Sequence, residues 1–245
     1  QRSQSSKSNA WHPAWVALLG SLWLATAGNY ALWQQVHQLP EVNGLRGLGF
    51  AIGFGVIIVA ALTTLLSFFN WGKLLKPVLT VFFFSAASGA YFMMSYGIVI
   101  DSTMITNVIQ TDTKEALDLF NWRMLVSFAI LGLLPAWVLW KTPLKSPRIG
   151  QQLLGNALMA VLSIGILLAS LLAVFQDFSS IMRNHTQLRY LINPLNSYYA
   201  IGMVAAKPFQ LDNHIFLPIG QDAKVARLKP KEKPTLLLLV LGETA

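Results

Sequence analysis

The sequence predicts an all-α membrane domain that leads into the first strand of a separate α/β layer. Three observations carry this expectation. Of the 245 residues, 54% are hydrophobic and only 11% charged, whereas a soluble domain carries about 25% charged residues. Five apolar blocks are each long enough to cross about 30 Å of hydrocarbon at about 1.5 Å per helical residue. The chain then closes on LLLLVL, a run too short to span a bilayer and too apolar for a solvated sheet edge.

The elements follow in order. Residues 1–10 form a serine-rich amino-terminal tail. The five predicted spans are residues 11–33, 47–69, 77–100, 124–140 and 149–176, and none contains Asp, Glu, Lys or Arg. Trp11, Trp33, Trp71, Trp122 and Trp140 stand at or near their ends, where aromatic belts form. The first block is too long for a signal-peptide core and lacks a small-residue cleavage site, so it reads as an anchor. Glycines such as Gly47, Gly49, Gly53 and Gly55 suit close helix packing.

Lys and Arg set the direction. One set of connections holds Arg2, Lys7, Lys73, Lys76, Lys141, Lys145 and Arg148. The other holds Arg46, Lys114 and Arg123, with Glu41, Asp101, Asp112, Glu115 and Asp118 beside them. This imbalance predicts a cytoplasmic amino terminus. Five crossings then place everything after Gln176 outside the cytoplasm. The net charge of +8 lies in short flanks rather than on one basic face, which argues against nucleic acid. Uncharged spans argue against an ion-coupled transporter, which keeps ionisable groups at membrane depth. The absence of cysteine excludes a disulfide framework and thiolate metal ligation within these residues.

Between the third and fourth spans, residues 101–120 read as an amphipathic helix on the outer membrane surface. Asp101 or Ser102 caps its start, and Met104, Ile105, Val108, Ile109, Ala116, Leu117 and Phe120 form its apolar side. Asn107, Thr111 and Glu115 recur every four residues and form a polar row. The row either faces water or recognises a polar headgroup: the carboxylate suits an ammonium, the amide and hydroxyl suit phosphate or glycerol oxygens. Residues 177–209 predict interfacial helices, interrupted at Pro194 and resuming near Asn196 or Ser197. There, Arg183 and Arg189 would touch lipid phosphates, and His185 reads as an ordinary surface histidine. Residues 210–234 form a Pro- and Lys-rich linker. Residues 235–245 begin an exported domain, with Glu243 just beyond the strand, where ligands of parallel sheets bind unless the position is merely solvated. The chain starts at Gln1 rather than Met and is expected to be part of a longer protein.

Five spans followed by YGIVIDSTMITNVIQTDTKEA, MRNHTQLRYLINPLNSYYA and LLLLVLGETA resemble the phosphoethanolamine transferases of the Gram-negative inner membrane, which modify lipid A and confer polymyxin resistance. The resemblance covers nearly the whole chain. It implies that the exported part is an alkaline-phosphatase-like α/β/α domain that binds zinc, with Glu243 of the GET motif as a metal ligand. It also implies that Asn107, Thr111 and Glu115 line the site for phosphatidylethanolamine. Thr244 matches the threonine of GET, not the family's nucleophile, which lies in a motif further downstream. The expected protein is therefore a monomeric enzyme moving phosphoethanolamine from phosphatidylethanolamine to lipid A through a threonine intermediate. The present chain, without the nucleophile, is expected to be inactive alone. The alternatives are a non-catalytic anchor or transporter module, or a transferase of another phospho-alcohol to core sugars or surface glycans.

Overall fold

A computed structural model describes residues 10–111, 114 and 120–206. Its regular elements are helical throughout, and no strand occurs among the described residues; a single parallel bridge joins Trp11 and Leu144. Helix α1 spans Pro13–Thr26, α2 Tyr30–His37, α3 Gly44–Phe68, α4 Leu75–Tyr96 and α5 Ser102–Gln110. Helix α6 spans Trp122–Lys141, α7 Ile149–Ala173, α8 Phe175–Asn184 and α9 Leu195–Ala206. Four of these, α3, α4, α6 and α7, are long and apolar enough to cross a membrane.

The first apolar block departs from the single span expected over residues 11–33. Helix α1 stops after 14 residues, about 21 Å at 1.5 Å per residue, too short to cross alone. A 3₁₀ turn over Ala27–Asn29 separates it from α2. The cause is Asn29, whose amide donates to the Leu24 carbonyl at 2.8 Å. That side-chain bond takes the place of a helical rung. The other blocks differ at their ends. Helix α4 ends at Tyr96, not Ile100, because Gly97 adopts a left-handed conformation (φ 65°) and terminates it. The last block ends at Ala173, and the residues after Val174 turn into α8.

The spans pack in the order α7, α3, α1, α4, α6, with the short first block at the centre. The apolar core runs through Leu24, Leu32, Phe54, Ile58, Leu62 and Leu79. Phe54 also meets the rings of Trp33 and Phe178 at 6.0 and 5.9 Å. Helix α7 follows another logic. Its buried residues are Gln152, Asn156 and Ser163, all polar, while its apolar side chains are largely exposed. Gln152 donates to the Asn70 carbonyl at 2.5 Å and to Asn156 Oδ1 at 2.8 Å, and Asn70 donates to that same oxygen at 3.0 Å. Lipid tails are as apolar as leucine, so burying apolar side chains between helices gains little hydrophobic energy there, and interhelical hydrogen bonds and close packing hold the helices together.

Contacts sort the connections into two ends. At one, Trp11 donates to Pro143 O at 2.8 Å, Lys145 to Trp11 O at 2.9 Å, and Lys76 Nζ to Trp140 O at 3.0 Å. At the other, Arg46 pairs with Asp177 at 2.8 Å and His185 with Glu41 at 3.3 Å. These groupings coincide with the two sets of connections separated by charge in the sequence.

Candidate functional site

The polar row of the sequence begins at the second end, on α5. Asp101 is the cap: its Oδ1 accepts from the Met104 N–H at 2.8 Å, and its carbonyl accepts from Ile105. Asn196 of α9 donates to the Ile100 carbonyl at 2.6 Å and to Tyr190 O at 3.0 Å. The start of α5 is thereby tied to the segment that follows the last span.

The helix is shorter than the 101–120 expected. It ends at Gln110, and Thr111 is already extended (ψ 133°). Asn107 and Thr111 are nevertheless brought together, since the Thr111 hydroxyl donates to the Asn107 carbonyl at 2.8 Å. With its proton engaged, Thr111 Oγ1 offers lone pairs rather than a donor. The Asn107 side chain is exposed and its amide has no partner among the described residues. Glu115 and Glu243 lie outside the described residues, as do the predicted linker and strand.

The surrounding charges form two pairs. Arg46 meets Asp177 through Nε at 3.1 Å and through its terminal nitrogen at 2.8 Å. His185, expected to be an unremarkable surface residue, is half-buried against Glu41. Glu41's own backbone N–H, followed by the His185 ring, holds its carboxyl below the ordinary glutamate value. Two such ligands are too few for zinc, which takes at least three from protein. No group of three His, Asp or Glu able to hold a metal occurs among the described residues.

Sequence reasoning gave no role to the polar joint beneath this surface. Asn29 and Asn193, each 1% exposed, bind across 164 residues. Asn29 Oδ1 accepts from the Asn193 N–H at 2.8 Å, and the Asn29 amide donates to the Asn193 carbonyl. The Asn193 amide donates to Gly28 O at 2.9 Å and Ala86 O at 2.6 Å. A Cβ at Gly89 would run into the Asn193 side-chain amide, so the close packing here favours glycine. The available signal was an asparagine inside an apolar block together with a second one before Pro194. Tyr198 continues the joint, its hydroxyl 2.9 Å from Ser85 Oγ and its ring 4.9 Å from that of Phe82.

Comparison with known proteins gives concordant results. The family model described as "Phosphoethanolamine transferase EptA/EptB" matches residues 58–209. Phosphatidylethanolamine transferase Mcr-2 of Escherichia coli is 31% identical over 230 residues, covering 93% of this chain and 42% of the relative. Phosphoethanolamine transferase EptA of Salmonella typhimurium is 30% identical over 237 residues, covering 95% of this chain and 42% of the relative. This chain thus spans about two fifths of the length of these relatives. Among solved structures, the integral membrane protein lipooligosaccharide phosphoethanolamine transferase A (EptA) from Neisseria meningitidis shares the fold. Its TM-score is 0.71 at 22% identity, over 79% of this chain and 36% of that one.

Proposed function

The chain belongs to the phosphoethanolamine transferase family of EptA and EptB, and from that premise we propose that it is the membrane domain of an enzyme that takes phosphoethanolamine from phosphatidylethanolamine. The acceptor is lipid A, and the modification lowers susceptibility to polymyxins. The observation that carries this reading is the family match over residues 58–209, which includes α5 and the whole polar row.

In this reading the chain crosses the inner membrane five times, the interrupted first block included, with its amino terminus in the cytoplasm. The two sets of connections, kept apart by contacts as well as by charge, support that path. The second end then faces the periplasm, beside outer-leaflet donor headgroups.

Asp101 fixes the first turn of α5, and α9 fixes its position through Asn196. The lone pairs of Thr111 Oγ1 suit the ammonium of ethanolamine, which has only donors to offer. That favours a role for Thr111 at the amine rather than at the phosphate. The Asn107 amide reaches a phosphate oxygen, and the Glu115 carboxylate balances the ammonium charge. Glu243 serves as a metal ligand, by its likeness to the GET motif. Zinc, when bound, would make a threonine hydroxyl nucleophilic at neutral pH and offset charge on phosphorus.

The test is mass spectrometry of lipid A from cells expressing the full-length protein, beside its Asn107→Ala and Glu115→Ala variants. Addition of phosphoethanolamine is expected with the parent, and weaker use of the donor by both variants at unchanged zinc content. Unmodified lipid A with the parent would refute the function. Variants as active as the parent would return the row to a solvated face.

A further inference from the structure

A cavity opens at the same end, between α2, α4 and α6. Its volume is about 350 Å³, and its walls include Tyr30, Tyr91, Ser95, Arg123, Ser127 and Leu131. Asn107 and Thr111 do not line it. We propose that this cavity seats the phosphodiester of a glycerophospholipid drawn from the leaflet at that end of the bundle, with Arg123 as its anion ligand.

Charge is the first argument. Arg123 lines the cavity, is exposed, and pairs with no carboxylate among the described residues. Its neighbours in the wall include Ser95, Ser127, Tyr30 and Tyr91, with no Asp or Glu among the described residues. A guanidinium among hydroxyls suits a phosphate, and its fixed positive charge disfavours an ammonium beside it. Arg123 also follows the exposed Trp122 at the start of a span, the level at which arginine reaches lipid headgroups.

Shape is the second. The volume is at the small end of the 300–1,000 Å³ usual for ligand pockets, so it accepts a headgroup and glycerol rather than whole acyl chains. Exposed Met94, Ile130 and Leu134 give those chains an apolar surface on which to continue. The wall is held in place as well. Tyr91 is 4% exposed, and its hydroxyl accepts from the Asn121 amide at 2.6 Å. The third argument is local geometry. Residues Phe128–Leu133 of α6 are π-helical, a deformation often found where a helix serves a site. The segment begins directly after Ser127 and includes Leu131, whose carbonyl accepts from Trp23 Nε1 at 3.4 Å.

The experiment is native mass spectrometry of the full-length protein released from phosphatidylcholine nanodiscs doped with phosphatidylglycerol. The parent should retain phosphatidylglycerol, Arg123→Ala should hold it about tenfold more weakly or worse, and Arg123→Lys should fall between them. Ser127→Trp, which fills the cavity and leaves the cation, should also lose the lipid, and it decides the question should Arg123→Ala fail to fold. Equal retention by the parent and the variants overturns the proposal. So does Arg123-dependent binding of inorganic phosphate to protein that retains no lipid. The readout is retention, so it stands or falls separately from transferase activity.

Discussion

Replacing Asn29 by alanine removes three hydrogen bonds at once. The side chain bonds Leu24 O, the Asn193 carbonyl and the Asn193 N–H, all at positions closed to water. At about 0.5–1.5 kcal/mol net per bond, the loss comes to about 1.5–4.5 kcal/mol, and the lower figure agrees with about 0.6 kcal/mol per polar contact in membrane bundles. The buried Asn193 N–H, left with no acceptor, pushes the cost upward. The assay is equilibrium unfolding in mixed micelles followed by tryptophan fluorescence, with hydrogen exchange over residues 186–197. We expect an earlier midpoint and faster exchange confined to that segment. Gly89→Ala supplies the companion measurement, since its Cβ would run into the Asn193 side-chain amide. It should cost about 1–3 kcal/mol alone and almost nothing in an Asn193→Ala background, where the obstructing amide is gone. Simple additivity of those two substitutions, or an Asn29→Ala midpoint within about 0.5 kcal/mol of the parent, would refute the reasoning.

Two further outcomes are expected. The Glu41 carboxyl, held low first by its own backbone N–H and then by His185, should titrate higher in a His185→Ala variant without returning fully to the usual glutamate value, as followed by carboxyl NMR. A depressed carboxylate stabilises the fold above its unfolded value, so this contribution should fade as pH falls through the folded value and be absent in stronger acid. Gln152→Leu removes the donor to Asn70 O and Asn156 Oδ1; although it makes α7 more apolar, it should loosen α7 from α3. Disulfide cross-linking between cysteines introduced on those two helices would detect this, and an undiminished yield would count against it.

Much of this was legible in sequence because bilayer thickness imposes a length and a hydropathy that few other structures satisfy. The spans at α3, α4, α6 and α7 were located on those grounds within a few residues, and the cap of α5 was narrowed to Asp101 or Ser102 because capping is local. What escaped notice depends on partners distant in the chain. The interruption at Ala27–Asn29 is held by Asn193, and His185 acquires a role only when Glu41 arrives beside it. The end of α5 at Gln110 was missed for another reason. Apolar spacing continues to Phe120, and periodicity does not register the change to extended backbone at Thr111.

Helix α7 partitions its side chains in the reverse of the manner familiar from water-soluble proteins, amides inward and aliphatic groups outward. The surrounding hydrocarbon is therefore a structural component of this helix, as necessary as any neighbour. Conditions that strip or shorten that hydrocarbon should dislodge α7 ahead of the other spans, although no bond within the protein has been altered.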